Sequence, residues 1–133
     1  MNKYLLLILK ADWYNRWLVD KFEDYREIKP YWLTRLFDLY EFDGPYVKTD
    51  KPIKWDKDLL DIYSTDVHLL RAALSVGRIK PKPFGGITLQ LGYSSITKNA
   101  KFLGIEVGFG KPELGADIEK PVFIIKGAAV DNR

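Results

Sequence analysis

The sequence predicts an α+β domain with a mostly antiparallel sheet or a partly closed barrel. Three observations carry this. Apolar residues recur at helical spacing between Asp12 and Val76, whereas short β-type runs dominate after Gly86. A further apolar run opens the chain, so strands stand at both ends. There is neither βαβ alternation nor an internal repeat, which excludes a parallel doubly wound sheet and a solenoid. The 133 residues, taken as a single domain over 1–133, are 47% hydrophobic and 14% aromatic, enough apolar surface to offset chain entropy and exclude disorder as the dominant state.

Each element follows from local chemistry. Tyr4 to Leu9 is a short apolar run that suits a core strand. Asp12 is placed to cap a helix whose stripe is Trp13, Tyr14, Trp17 and Leu18. The charged segment from Lys21 is expected to stay extended to Lys29, because the residue before Pro30 avoids the helical region. Pro30 suits the first position of a second helix, Tyr31 to Phe37, with Trp32, Leu33, Leu36 and Phe37 inward. Asp38 to Asp58 is the least regular part, with a turn at Asp43-Gly44-Pro45; its lysines alternate with aspartates, and it is expected to be a solvated loop. Asp66 then caps a helix over Val67 to Val76, with the stripe Leu69, Leu70, Ala73, Leu74 and Val76 and with Gly77 at its C-terminal end. After the Pro- and Gly-rich connector 80–86, the runs Ile87 to Tyr93, Ala100 to Val107 and Val122 to Lys126 are expected as strands.

Composition removes several functions. The absence of cysteine excludes disulfide frameworks, thiolate catalysis, Cys-ligated zinc and iron–sulfur clusters. His68 is the only histidine, so a His-rich metal site is excluded, and neither metal nor cofactor is expected. The Tyr4–Leu9 run is too short to span a bilayer and has no small-residue cleavage site, which predicts a cytoplasmic protein without a membrane partner. The formal net charge is +3, unevenly spread: from Val67 to Ile105 there is no Asp or Glu, yet Arg71, Arg78, Lys80, Lys82, Lys98 and Lys101 fall there. Such a stretch suits a polyanion-facing surface, and equally a solvated face whose cations pair with acids from elsewhere in the fold.

Two segments together resemble the small ASCH domains, relatives of the PUA-like RNA-binding fold, particularly their short phage-type members. Val19-Asp20-Lys21-Phe22-Glu23-Asp24-Tyr25-Arg26 is similar to the family's G-x-K-x-x-E-x-R signature, and Arg26-Glu27-Ile28-Lys29-Pro30-Tyr31-Trp32 to its phage-branch extension. Leu91-Gly92-Tyr93 and the segment from Gly104 to Ala116 resemble the R-G-Y strand and the G-x-G-x-P-E-W-G-A loop. The likeness covers about 1–37 and 87–127, so 38–86 stands as a lengthened connection. Val19 replaces the signature glycine, Asp24 the glutamate, Leu91 the arginine and Leu114 the tryptophan. The resemblance implies a PUA-like, mostly antiparallel β-barrel with peripheral helices and a ligand cleft at its rim. If the chain is phage-encoded, it implies a place in the host cytoplasm.

The expected partner is RNA, another single-stranded nucleic acid, or a nucleotide or modified nucleobase. In an extended segment Asp24 and Arg26 share a face, Lys21 lies opposite, and Tyr25 points inward. Beside two cations Asp24 is expected to stay ionised and accept from an exocyclic amine, while Lys21 and Arg26 hold a phosphate or base carbonyl. An ion-pair network that merely fixes the strand explains the same cluster. Tyr93, following Gly92 at a strand end, is the leading stacking residue; Trp13, Trp17 and Trp32 are assigned to the core. Lys29 and Lys111 support the site, and Arg78, Lys80, Lys82, Lys98 and Lys101 track phosphates. Two other classes stay open. Some relatives are amidohydrolases acting on acetylated cytidine, and ribonucleases have been suggested; Lys21 is then the candidate base, but Asp24 stands where the hydrolases carry a threonine nucleophile. A phage-encoded inhibitor would instead use Tyr40, Phe42, Tyr46 and Trp55 of 38–86 against a host protein.

Overall fold

The computed structural model describes residues 2–16, 21–114 and 119–129, with backbone only at 16, 21 and 49. In order the elements are β1 (Tyr4–Leu9), α1 (Ala11–Arg16), β2 (Lys21–Glu27), α2 (Pro30–Leu36), β3 (Phe37–Asp43), β4 (Tyr46–Ile53), α3 (Lys57–Thr65), α4 (Val67–Ser75), β5 (Ile79–Pro81), β6 (Gly86–Leu91), β7 (Thr97–Gly108) and β8 (Val122–Ala129), with a single 3-10 turn at Pro112–Leu114. The class is α+β with mostly antiparallel strands, as expected, and the larger sheet curls into a half-barrel. Its order is β1-β6-β7-β8-β2, and only the β1–β6 pairing is parallel.

The region 38–86 corrects the sequence reading. Asp38 to Ile53 is a β-hairpin rather than a solvated loop, Lys57 and Asp58 already begin α3, and β4-β3-β5 forms a second antiparallel sheet. Gly44, at φ +62, supplies the left-handed residue of the hairpin turn. β4 lies at the sheet edge and is mostly exposed, so its sequence shows no apolar alternation. Pro52 is tolerated there because an edge strand has one side free of ladder bonds. This region is also not a separable insertion: Leu39, Leu70, Ala73 and Ile79 belong to the same buried cluster as Leu7, Ile87, Phe123 and Ile125. Phe37 meets Phe123 with ring centroids 5.1 Å apart, and Trp55 Nε1 donates to Phe37 O at 3.2 Å.

Capping chemistry explains the helices. Pro30 begins α2 with Lys29 as N-cap, and Asp66 accepts from the backbone N–H of His68 and Leu69 at the start of α4. Asp56 does the same for α3 through Leu59 N at 2.8 Å. Asp12 lies inside the first turn of α1 rather than ahead of it, and Trp17 and Leu18 fall outside the described residues. On α4 only Leu70 and Ala73 are buried; Leu69 and Val76 of the expected stripe are exposed. No helix among the described residues is long and apolar enough to cross a membrane.

Candidate nucleic-acid interface

A sheet that curls without closing leaves its two edge strands facing each other across a seam. Here those edges are β1 and β2. Arg26, on β2, bridges the seam: its Nη2 donates to the Ile8 carbonyl on β1 at 3.3 Å. Asp24 and Arg26 share a face, as strand alternation requires, and Arg26 Nε donates to Asp24 Oδ2 at 2.5 Å. That face is the inner one, since Asp24 pairs with Ile125 and Arg26 with Phe123, both fully buried. Tyr25 is therefore turned to the opposite face beside Ile124, which corrects the expectation that it points inward. Its hydroxyl donates to Glu23 Oε1 at 2.7 Å and accepts from Lys111 N at 2.9 Å. Burial foremost, helped by Glu23 and Glu113 and opposed by the Lys111 N–H, pushes the Tyr25 hydroxyl up to about 12.

The inward position alters the electrostatics of Asp24. Only 12% of its side chain is exposed, and burial pushes its carboxyl above the usual range against the opposing pull of the Arg26 guanidinium. Desolvation outweighs the pull of the Arg26 cation on this carboxyl. The pair holds Arg26 in one orientation, with its guanidinium carbon 4.8 Å from the Trp32 ring centroid.

Two hollows open along the seam and share Ile8 and Arg26. One, of about 250 Å³, lies between Asp24, Arg26, Lys10, Trp13 and Leu114. The other, also about 250 Å³, is ringed by Leu6, Ile8, Arg26, Tyr31, Trp32, Arg35 and Tyr93. Among the described residues that line it are two arginines and three aromatic rings and no acid. Tyr31 and Arg35 are four apart on α2 and so share a helical face; the Arg35 guanidinium carbon is 5.1 Å from the Tyr31 ring centroid and 5.9 Å from that of Trp32. Tyr93, 93% exposed, is presented by a tight turn. Gly92, at φ +53, permits that turn and donates to Leu9 O at 2.8 Å, while Ser94 N closes onto Leu91 O at 3.1 Å.

Arg26 and Tyr93 thus share one concavity, and Asp24 lines the adjoining one. The side chain of Lys21 lies outside the described residues. Lys29 is in an exposed pair with Glu27 at 3.5 Å, and Lys111 lines a separate hollow with Lys126, Glu23 and Phe22. The cations of the acid-free stretch are dispersed. Arg78 donates to Tyr40 O beneath the Phe42 ring, and Lys82 pairs with Asp38 at 2.8 Å. Lys80 lies over the Tyr40 ring, and Lys98 and Lys101 are exposed on opposite faces of β7. Arg35 was missed by the sequence reading, although the Tyr31-x-x-x-Arg35 spacing on a proline-started helix signals it. Trp32 is half-buried and lines the hollow rather than only filling the core. No group of three or more His, Cys, Asp or Glu side chains placed to hold a metal occurs among the described residues. A depression of about 790 Å³ lies elsewhere, between α4, β5 and β7, with no aromatic ring among the described residues that line it. No family model, curated protein or solved structure matches the chain.

Proposed function

We propose that the protein is a nucleic-acid-binding module of the PUA-like, ASCH type that takes an unpaired base of RNA or another single strand in its seam. The observation that carries this reading is the acid-free hollow in which Arg26 and Arg35 accompany Tyr31, Trp32 and Tyr93. Flat π-faces stack bases without requiring a particular sequence, and guanidinium groups hold a phosphate or a base carbonyl in a fixed fork. A volume of about 250 Å³ is below the roughly 300 Å³ from which drug-sized sites begin, and it suits one ring system rather than a large cofactor. Asp24, beside it, supplies an acceptor for an exocyclic amine while it fixes Arg26.

Fluorescence anisotropy with labelled single-stranded RNA and DNA, recorded over a range of salt concentrations, tests the proposal. Binding is expected, with the logarithm of affinity falling against log salt at a slope of roughly −2, two or three phosphates being neutralised. Salt-insensitive or undetectable binding at low ionic strength overturns it. Incubation with acetylated cytidine in parallel separates a binder from a hydrolase, since turnover would move the function to the enzymatic class.

A further inference from the structure

The backbone carries a second opening, unrelated to the seam. β7 pairs with β6 only over Thr97 to Ala100, while β8 covers it from Ala100 to Gly108. From Lys101 onward one edge of β7 therefore has no strand against it among the described residues. The chain that precedes β6 runs alongside but leaves to join the second sheet: β5 pairs with β3, Lys80 opposite Asp38. Tyr40 N bonds Arg78 O and Lys82 N bonds Leu36 O, so alternation turns the backbone of Ile79 and Pro81 away from β3 and across the gap. Pro81 has no N–H to donate there.

The gap that results is the 790 Å³ depression. Arg71 Nη2 donates to the Val107 carbonyl at 3.2 Å, which shows that this carbonyl faces away from β8 and is satisfied by a side chain in place of a strand. Alternation turns the N–H and C=O of Ile105 the same way. The gap walls carry Leu74 and Val76, the latter 58% exposed, over the fully buried Ile79, and the cations Arg71 and Lys80. Glu106, the acid among them, is already engaged with Lys126 at 3.1 Å.

We propose that this gap takes an extended peptide segment of alternating apolar and acidic residues, added as a further strand on the β7 edge. Main-chain bonds to Ile105 and Val107 would hold it, apolar side chains would pack on Leu74 and Val76, and acidic ones would meet Arg71 and Lys80. The absence of aromatic rings among the described lining residues and the open backbone groups of Ile105 favour a peptide over a nucleic acid here.

The test is NMR-detected amide exchange and titration of the full chain with a synthetic peptide alternating valine and glutamate. Exchange at Ile105 is expected to slow on binding. Methylating alternate peptide nitrogens is expected to weaken binding roughly tenfold, about one lost backbone hydrogen bond. Arg71→Glu should weaken the acidic peptide and favour one alternating valine with lysine; because Arg71 is exposed, Leu39 and Phe123 amide protection serves to show that the variant stays folded. No perturbation of Ile105 or Val107 by any of the peptides overturns the proposal, as does protection of those amides by single-stranded RNA instead.

Discussion

The seam between β1 and β2 and the gap between β5 and β7 are both places where a sheet fails to close, yet they offer opposite chemistries. In the seam the strand edges are bridged by the Arg26 side chain, which is fixed by Asp24 and covered by Trp32. What remains accessible is side-chain surface, rings and guanidinium groups. In the gap the bridging arginine is Arg71, itself exposed, and what remains accessible is backbone. How an unpaired edge is finished, by a buried ion pair or by an exposed cation, sets which chemical groups the opening presents.

The largest expected effect breaks that comparison at its strongest point. Arg26→Ala removes the bridge and leaves Asp24 enclosed without its cation, at a cost of about 3 kcal/mol, the low end for a broken buried pair. The cost is at the low end because 20% of the Arg26 side chain still reaches water. Thermal unfolding should show a fall in Tm of roughly 10 °C. Arg71→Ala, its counterpart in the gap, should cost about 1 kcal/mol or less, since only a solvent-accessible hydrogen bond is lost. Comparable losses in the two variants would remove the distinction drawn here.

Tyr93→Ala comes next. It should leave stability unchanged, because the ring is 93% exposed, but reduce affinity for single-stranded RNA by about 1–3 kcal/mol, the worth of one base–aromatic stack. Equal affinity in an anisotropy titration would take Tyr93 out of the site.

The pH dependence follows from the seam pair. With its native pKa above the unfolded value, the Asp24 carboxyl binds its proton more tightly in the folded state. Its contribution to stability is therefore fully present below about pH 4 and lost as pH rises through the native pKa. Asp24→Asn, which keeps the carbonyl acceptor but cannot ionise, should flatten that part of the profile in denaturant titrations taken at successive pH values. A wild-type profile that instead gains stability over the Asn variant as pH rises would reverse the assignment. The smallest effect is at alkaline pH. The Tyr25 proton contributes stability below the ordinary tyrosine range that is lost as pH rises through about 12, so Tyr25→Phe should remove a shallow alkaline decline.

Much of the curled sheet was legible in the sequence because the edge strand β1 and the central strands β6 and β8 bury apolar residues and read as apolar runs: Tyr4 to Leu9, Ile87 onward, and Val122 to Lys126. The second sheet was not, because β4 is an exposed edge and β5 is three residues long among prolines, so neither shows alternation. α3 did leave a signal. Asp56 followed by Leu59, Leu60 and Tyr63 repeats the logic of the Asp66 cap, but the dense lysines and aspartates around it suggest a solvated loop. For the site, period-two alternation correctly joined Asp24 to Arg26, but it could not say which face was inner. That depended on register with Phe123 and Ile125, about a hundred residues further along. The acid-free run of cations was visible as composition, yet β3 supplies Asp38 to Lys82 and the Tyr40 and Phe42 rings to Lys80 and Arg78, which linear charge counting does not reveal.

Photo-crosslinking of thiouridine-containing single-stranded RNA, followed by peptide mapping, tests the central claim most directly. Crosslinks are expected on the peptides that carry Tyr31, Trp32 and Tyr93, and competition by unlabelled RNA should abolish them. Crosslinks confined to the exposed lysines 98 and 101 or to the edge of β7, with the seam unmarked, would contradict it.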